Sequence, residues 1–507
     1  MTQRVLVLDF GAQYNQLIAR RVREAGVFSE IVPGTLPAAA IRAKEPQALI
    51  LSGGPASVFE PGAPSPDPAI FELGLPILGI CYGMQLMAKM LGGAVEPATD
   101  REYGRAEMTV LQESLLLEGF QSPAVVWMSH GDRVRAAPPG FQVLASTPRT
   151  PIAAFAHPQR QWWAVQFHPE VHHTPDGMLV FRNFLLKIAG LSPDWRPTAF
   201  LESAIREIQE RVGPDRALVA LSGGVDSAVA AAIARQAIGP QLSAVLIDHG
   251  LMRAGEVEEV RRAFADIDLH VVNAAPQFFR ALSGISDPEQ KRKIIGREFI
   301  RAFEQAQEAV GSCPVLIQGT VYPDVIESGN FGGARTIKSH HNVGGLPEDV
   351  TFRIVEPLRW LFKDEVRQIG EELGLPPALV WRQPFPGPGL AVRVLGPVTE
   401  EKVRVVREAD RIVREELAQA GLERQIWQAF AVLLDVRAVG VMGDDRTYGY
   451  AVAVRAVDSE DGMTADWVRL PYPVLDRIAH RIVGEVPEVN RVVYDVTSKP
   501  PGTIEWE

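Results

Sequence analysis

The feature that most constrains the fold is a repeated alternation of short apolar segments with segments of helical periodicity. Apolar runs at residues 4–10, 48–51 and 76–80 are each followed by a turn, and helix-like stretches separate them. Apolar strands alternating with amphipathic helices are typical of a parallel sheet that is covered by helices on both faces. We therefore predict a doubly wound α/β domain over residues 1–190.

The alternation resumes after a polar, proline-rich segment at residues 190–197, whose composition is typical of a linker. Further apolar runs at residues 217–221 and 242–247 again alternate with segments of helical spacing. A second doubly wound domain is therefore predicted over residues 191–382.

A third region begins with the stretch at residues 383–389, which contains too much proline and glycine for a helix or a central strand. Beyond it we expect a helix, two strand-like runs, a second helix and a last strand, an order typical of α+β domains. The predicted fold class is α/β, with two doubly wound parallel-sheet domains followed by a smaller α+β domain at residues 383–507.

Composition and charge narrow the function classes. The formal net charge is −11, so a surface for duplex nucleic acid is not expected, although a few local cations can still hold a phosphate. Two cysteines exclude a disulfide framework, and the scattered histidines lack zinc-type spacing. Neither a signal-peptide core nor a bilayer-spanning run is visible. We expect a cytoplasmic protein with no nucleic-acid or membrane partner, no zinc and no organic prosthetic group.

Cys81 lies between an apolar strand and a helix-like segment, in the sequence Gly-Ile-Cys-Tyr-Gly. The positive end of that helix would stabilise a thiolate. A buried structural cysteine is the alternative, and it is the commoner case for an isolated cysteine. His168-Pro-Glu170 favours the reactive cysteine, because alternate residues of an extended segment face one side. Glu170 would then orient the His168 imidazole, which would take the thiol proton.

The glycine-rich turn Ser-Gly-Gly-Pro at residues 52–55 follows a strand, so its amides could converge on a developing oxyanion. Taken alone, it is equally compatible with an ordinary turn. Together with the cysteine and histidine segments, it resembles class I glutamine amidotransferases over almost all of residues 1–190. The resemblance implies that glutamine is hydrolysed through a thioester. The implied triad is Cys81, His168 and Glu170, and the implied oxyanion donors are the backbone amides of Gly54 and Tyr82.

A second glycine-rich segment, Ser-Gly-Gly-Val-Asp-Ser at residues 222–227, leads from an apolar strand into a helix. Its glycines let the backbone approach a phosphate, and the helix N-terminus offers amide donors. It lacks the Gly-Lys-Ser/Thr ending of a Walker A loop. Asp226 would repel phosphate unless it binds Mg²⁺ or caps the helix. The segment resembles the ATP-pyrophosphatase loop, whose enzymes transfer AMP to an oxygen. The implied ATP contacts are Ser222, Gly223, Gly224, Val225, Asp226, Ser227 and Ala228.

Three further features are compatible with an ATP site, and two of them have an ordinary alternative. Lys363 would reach ATP, or it is a solvated helix lysine. Asp324 and Glu327 would hold Mg²⁺, or they lie in a solvated turn. The basic, glycine-rich segment at residues 338–345 is typical of a mobile lid over phosphates.

The remaining motifs indicate the acceptor. Segments at residues 383–393, 440–446 and 497–507 resemble those of GMP synthases, and the similarity covers the whole chain in the same domain order. One departure is Asp445, where the family often has glycine. The resemblance implies a homodimer formed through the third region and xanthosine monophosphate as the substrate. The implied substrate contacts are Arg253, Arg393, Lys499, Ile504 and Glu505.

The sequence therefore predicts a glutamine-dependent ligase of purine biosynthesis with two coupled reactions. Glutamine yields ammonia, and MgATP adenylylates the C2 oxygen of xanthosine monophosphate, which ammonia then displaces. One alternative is another amidating enzyme with the pyrophosphatase loop, such as an NAD synthetase, but the class I triad disfavours it. A tRNA-thiolating enzyme is disfavoured by the acidic charge. A non-catalytic regulatory relative would be expected to lack one of the motifs.

Overall fold

The chain divides into two compact units, Met1–Arg196 and Pro197–Glu507. The computed structural model describes residues 3–12, 14–327, 352–442, 445–459, 462 and 464–507. The predicted lid at residues 338–345 lies outside this part of the chain. The three predicted domain boundaries stay predictions. Within the described residues, no helix is both long and apolar enough to cross a membrane.

The first unit is built on one large sheet flanked by helices. Its strands are β1 (Arg4–Asp9), β2 (Phe28–Pro33), β3 (Ala48–Leu51), β4 (Ile77–Ile80), β5 (Ala94–Val110), β6 (Ala124–Ala136), β7 (Gln142–Ser146), β8 (Ala154–His157) and β9 (Trp162–Val165). Its helices are α1 (Asn15–Glu24), α2 (Ala38–Ala43), α3 (Tyr82–Met90) and α4 (Gly177–Arg182), and a π-helical segment, Asn183–Ile188, follows α4.

The nine strands lie in the order β2-β1-β3-β4-β9-β8-β7-β5-β6. The first five of them are parallel, as predicted. β3 and β4 are buried along their length and β1 is buried from Val5 to Leu8, as is typical of strands that are covered on both faces. The other four continue the sheet in antiparallel pairs, which the sequence prediction missed. The reason is that β5 and β6 are long and rich in charged residues, unlike the short apolar runs of a parallel sheet.

The second unit contains a parallel sheet and a smaller mixed sheet. Its strands are β10 (Ala217–Leu221), β11 (Leu242–Asp248), β12 (Asp268–Asn273), β13 (Val315–Ile317), β14 (Arg353–Val355), β15 (Gln428–Met442), β16 (Asp445–Asp458), β17 (Asp466–Trp467) and β18 (Val489–Tyr494). Its helices are α5 (Pro197–Val212), α6 (Val225–Ile238), α7 (Glu256–Ala263), α8 (Ala275–Ala281), α9 (Pro288–Val310), α10 (Tyr322–Glu327), α11 (Lys363–Glu372), α12 (Pro377–Val380), α13 (Glu400–Gln419) and α14 (Tyr472–Glu485).

The two sheets of this unit match the predicted fold class. The first is fully parallel, in the order β12-β11-β10-β13-β14, so β10 is central and its carboxyl end opens towards the phosphate loop. In the second sheet β15 and β16 are antiparallel, and β18 pairs with β16 in parallel. The predicted order of helix, two strands, helix and strand is confirmed. One continuous apolar core joins residues of β10 and β11 to residues of α13, β15 and β16.

Candidate active sites

Cys81 occupies a sharp turn between β4 and α3. Its φ of 51° lies in the left-handed region, which costs a residue with a Cβ on the order of 1–3 kcal/mol. Hydrogen bonds from the Cys81 amide to Val165 O (2.8 Å) and from the Gly83 amide to Ser52 O (3.0 Å) hold this turn. Any Cβ at position 83 would lie 2.3 Å from Leu51 O, so only glycine fits there. The turn therefore presents the thiol at the carboxyl edge of the sheet, as predicted for a nucleophile.

His168 and Glu170 lie just beyond β9, which ends at Val165. The chain bends at residues 166–167 before His168 and turns at Pro169 and Glu170, so the prediction of an extended segment is wrong, but the predicted pairing of the two side chains is present. His168 Nδ1 is 2.7 Å from Glu170 Oε1, and the Glu170 side chain is fully buried. Thr174 Oγ1 donates to the carbonyl of His168 at 2.7 Å. The chain turn thus brings the carboxylate to the imidazole, where it sets the ring orientation.

The charge of His168 reflects two opposing effects. Burial alone would lower its pKa, but the negative charges of Glu170 and Cys81 outweigh burial and raise the pKa well above its usual value. His168 Nε2 is buried and has no hydrogen-bond partner within the described residues. The imidazolium form is therefore favoured beside the thiol, an arrangement that supports a thiolate nucleophile.

Cys81 and His168 open into a cavity of about 660 Å³. The predicted oxyanion turn borders it, since a methyl group at Gly53 would lie 3.3 Å from His168 Cε1 and 3.8 Å from Cys81 Cβ. Among the described residues, neither the Gly54 nor the Tyr82 amide donates a hydrogen bond to the protein. These donors are therefore available to a substrate oxygen beside the thiol.

The predicted phosphate loop lies between β10 and α6. Gly223 adopts a φ of +80°, which glycine accepts without strain. Ser227 Oγ accepts from the Ser222 amide at 3.2 Å and donates to Gly224 O at 3.1 Å, so the serines close the loop on itself. The loop ends where α6 begins, at Val225, and the first amides of the helix therefore point towards any bound phosphate.

Asp226 follows this loop in a setting that suits a cation. Its Oδ1 is buried without a partner among the described residues, and its Oδ2 is 3.6 Å from Lys363 Nζ. Burial raises the pKa of Asp226, and Lys363 opposes that shift. No cluster of three or more possible metal ligands occurs in the described part of the chain. A single carboxylate is nevertheless enough for Mg²⁺ that is bound mainly by phosphates. Asp324 lies in α10 and further raises the pKa of Asp226.

Lys363 and the phosphate loop line a cavity of about 220 Å³, together with residues from the predicted acceptor segment. Arg382, which no sequence motif had indicated, crosses this cavity. It donates to the carbonyl of Gly223 and to Glu259, and its Nη1 is 3.4 Å from Glu256. Arg382 directly precedes the Pro- and Gly-rich segment, so it ties that segment to the loop.

The structure brings three of the five predicted substrate contacts together. Arg393 donates to both oxygens of Glu505, at 3.1 and 2.9 Å, and is 0% exposed. Arg253 stacks on the Phe385 ring at 4.4 Å. Both arginines flank Asp410, a fully buried carboxylate on α13 that lies 3.7 Å from Arg253 and 3.4 Å from Arg393. The available signal for Asp410 was an acid on the apolar face of a helix, a feature that it shares with Glu416.

The other two predicted contacts lie on the same final segment of the chain. Lys499 Nζ donates to Gly462 O at 2.7 Å, and Ile504 packs partly against an apolar cluster of the second sheet. Buried Arg455 holds this segment by donating to the carbonyls of Thr497, Thr503 and Ile504 at 2.8–2.9 Å. Arg455 was also missed, although it is the one charged residue in the apolar run 448–457 of β16.

Known families match three segments of the chain. Residues 6–188 match "Glutamine amidotransferase class-I", residues 198–278 match "NAD synthase", and residues 415–506 match "GMP synthase C terminal domain". A crystal structure of a putative GMP synthase component from Thermoplasma acidophilum is 29% identical and covers 41% of this chain and 98% of that one, with a TM-score of 0.33.

Curated relatives extend the similarity to the full length. The GMP synthase [glutamine-hydrolyzing] of Carboxydothermus hydrogenoformans is 58% identical and covers 100% of both chains. The protein of the same name from Parafrankia sp. is 60% identical over 99% of this chain and 96% of its own. That of Streptomyces coelicolor is 59% identical over 99% and 98%. Because these relatives align from end to end with the chain, it belongs to the glutamine-hydrolysing GMP synthase family.

Proposed function

We propose that this ligase converts xanthosine monophosphate, glutamine, ATP and water into GMP, glutamate, AMP and pyrophosphate. The observation that carries the proposal is the presence on one chain of a buried Cys–His–Glu site and a separate Ser-Gly-Gly-Val-Asp-Ser loop. The first arrangement suits amide hydrolysis, and the second suits binding of a nucleotide phosphate.

In the glutaminase reaction, Cys81 Sγ forms a bond to the side-chain carbonyl carbon of glutamine. The amides of Gly54 and Tyr82 would stabilise the negative oxygen that develops. His168 gives its proton to the amide nitrogen, the carbon–nitrogen bond breaks, and ammonia leaves behind a thioester. Water then loses a proton to His168 and attacks the thioester carbon, and the carbon–sulfur bond breaks. Glutamate leaves, and the starting pair of the Cys81 sulfur and protonated His168 is restored.

In the second reaction, the C2 oxygen of xanthosine monophosphate attacks the α-phosphorus of ATP, and the bond to pyrophosphate breaks. Ammonia then attacks C2, and AMP leaves with the oxygen. The loop at residues 222–228 and Lys363 would bind the ATP phosphates, and Arg382 would keep the loop against the acceptor segment. Asp226 is the residue that would hold Mg²⁺, an ion that neutralises phosphate charge.

The acceptor nucleotide would contact Arg253, Lys499, Ile504 and Glu505. Support comes from the partly exposed Glu505 carboxylate, whose oxygens are fixed by Arg393 and by Gln428 Nε2 at 2.9 Å. A fixed carboxylate can accept hydrogen bonds from ribose hydroxyls or a base N–H. Because Arg393 is fully buried, its part in binding is to hold Glu505.

We also infer a cytoplasmic homodimer. The apolar side chains of Val439, Val441 and Tyr448 are 53%, 73% and 66% exposed on one face of β15 and β16, a surface that a second copy would cover. Both cysteines are free, which fits a reducing compartment.

The proposal is tested by incubating the protein with MgATP, glutamine and xanthosine monophosphate and measuring GMP, AMP and pyrophosphate. Equal amounts of all three products are expected. Formation of glutamate without GMP would mean that the acceptor is a different oxygen-bearing compound.

The separate sites predict different responses to the loss of each cysteine. Cys81→Ala should abolish GMP formation from glutamine and leave formation from added ammonium unchanged. Cys313→Ala is the matched control, since Cys313 is the other free, buried cysteine but lies outside both cavities. It should retain both activities. Loss of both activities in Cys81→Ala would contradict two separable sites.

A further inference from the structure

Four buried polar side chains form a cluster beside the glutaminase cavity, and the triad makes no use of them. The cluster consists of Glu102 on β5, His130 on β6, and Thr147 and Thr150 in the turn after β7. Glu102 accepts hydrogen bonds from Thr147 Oγ1 at 2.9 Å and from Thr150 Oγ1 at 2.6 Å. Its Oε2 is 3.7 Å from His130 Nε2. A buried carboxylate is costly to keep unless it is paired in this way.

The cluster lies where the pairing of β5 with β6 is interrupted. Pro97 pairs with Asp132 and Glu102 pairs with His130, so residues 98–101 of β5 have only Gly131 opposite them. The regular ladder of hydrogen bonds is lost at such an irregularity, and side chains must hold the strands instead. The Glu102–His130 contact crosses the two strands at the edge of this gap.

The interrupted strand pair forms one wall of the cavity that contains Cys81. Pro97, Arg101 and Tyr103 contribute from β5, and residues 129–132 contribute from β6. Two contacts join this wall to Cys81 and to the following helix α3. Ser129 O is 3.7 Å from Cys81 Sγ, and Asp132 O accepts from Gln85 Nε2 at 2.8 Å. A shift of the wall would therefore change the space beside the thiol.

The hydrogen bonds of His130 connect the wall to the turn after β7. Its Nδ1 is 2.9 Å from the carbonyl of Asp132, which can only accept, so Nδ1 carries a hydrogen. Its Nε2 is 3.3 Å from Thr150 Oγ1, whose own hydrogen is directed to Glu102 by the shorter 2.6 Å contact. The ring therefore connects two parts of the structure: Nδ1 contacts the carbonyl of Asp132, and Nε2 contacts the Thr150 hydroxyl that is bound to Glu102. Burial raises the pKa of Glu102, but the contacts with His130, Thr150 and Thr147 together outweigh burial, so the pKa lies below its usual value.

We propose that Glu102 and His130 are positioning residues for glutamine: their contact holds the irregular wall at residues 129–132 in the shape that accepts the substrate. This proposal rests on the proposed glutaminase activity. Neither side chain takes part in bond making, and both act through the backbone carbonyls of Ser129 and Asp132.

The test compares Glu102→Gln with Glu30→Gln. Both carboxylates have side chains that are 8% exposed and ion-paired, and both lie on strands of the same sheet, but Glu30 is on β2 and lines no part of the cavity. In Glu102→Gln the KM for glutamine should rise about tenfold, while kcat falls less than about threefold because the triad is intact. Glu30→Gln should leave both constants at their wild-type values, whatever it does to the melting temperature.

Binding can be measured without turnover by titrating glutamine into the Cys81→Ala protein in a calorimeter. Adding Glu102→Gln should weaken the affinity about tenfold, whether or not the protein makes GMP, so a wrong acceptor assignment would not disturb this result. An unchanged affinity, or an equal loss with Glu30→Gln, would show that the contact is only structural and would overturn the proposal.

A milder pair of variants covers the case in which Glu102→Gln does not fold. Thr150→Val keeps the shape of the side chain but removes the hydroxyl that donates to Glu102, and it should also raise the KM for glutamine. Thr150→Ser restores the hydroxyl and should restore the wild-type KM. A Thr150→Val protein with the KM of the wild type would likewise refute the proposal.

Discussion

The side chain of Glu170 has a single neighbour that matters for chemistry, the imidazole of His168. The pair is buried and 2.7 Å apart, and the carboxylate helps to raise the pKa of His168 against the opposing effect of burial. Because the folded-state pKa is raised, the stabilising effect of the charged ring is complete below its unfolded value and is lost as the pH rises through the raised value. Protonated His168 is also the acid that releases ammonia.

Glu170→Gln should therefore move the alkaline limb of glutaminase kcat/KM to lower pH. The rate near neutrality should fall on the order of a hundredfold, since general acid catalysis is impaired. Glutamate release measured across the pH range gives both values, and ammonium-driven GMP formation serves as the control. An alkaline limb at the wild-type position would mean that Glu170 does not set the protonation of His168.

The residues of the two sites differ in how readily the sequence alone predicts them. His168 and Glu170 lie in one short motif whose spacing indicates their contact, and the resemblance to glutamine amidotransferases adds Cys81; the structure places Cys81 and His168 on one cavity. Arg382 and Asp410 escaped because neither shares a motif with its partners: Arg382 acts on Gly223, and Asp410 acts on Arg253 and Arg393. No local pattern encodes a contact of that kind.

At the scale of elements, the sharp turn between β4 and α3 depends on close packing against β3. An alanine Cβ at position 83 would lie 2.3 Å from Leu51 O and 2.7 Å from Leu51 Cβ, and neither atom can withdraw without moving the central strand. Gly83→Ala should cost about 1–3 kcal/mol of stability and should lower glutaminase activity by displacing the thiol.

Thermal unfolding and glutamate release measure these two effects. Gly484→Ala, near the end of α14, is the control because nothing lies within 4 Å of its added Cβ. It should be neutral or slightly stabilising, since alanine favours the helix over glycine. Equal melting temperatures for wild type and Gly83→Ala would show that the turn can relax.

Helices and strands were predictable where the hydrophobic residues follow a single regular pattern along the sequence. The parallel strands are short, apolar and buried on both faces, so their positions followed from the pattern of hydrophobic residues. The antiparallel strands β5 and β6 are amphipathic and irregularly paired, and their partners are set by tertiary contacts that a local pattern does not reveal.

At the scale of the whole molecule, β15 and β16 expose an apolar face that the fold leaves uncovered. Val439 and Val441 are two residues apart on one strand, and Tyr448 pairs with Val439 across the ladder, so the three side chains share a face. Val441→Asp would place a charge in any interface formed there. The variant should therefore sediment as a monomer where the wild type sediments as a dimer.

Sedimentation velocity distinguishes the two species. Leu111→Asp is a suitable control, because Leu111 is 56% exposed and belongs to the first unit, whereas this face belongs to the second. It should leave the dimer intact. A wild type that remains monomeric at every concentration would refute the proposed assembly, and dissociation by both variants would place the interface elsewhere.

The buried guanidinium of Arg455 has a consequence for how the acceptor specificity of such an enzyme can change. Three backbone carbonyls of the final segment, together with Asp495, converge on this one side chain in the interior of the second sheet. The conformation of the segment that would contact the nucleotide therefore depends on Arg455 in the core of the second sheet. Residues 497–505 would therefore confer selectivity on another protein only if Arg455 and β16 were transferred with them. Substrate selectivity thus depends on more residues than those that contact the substrate.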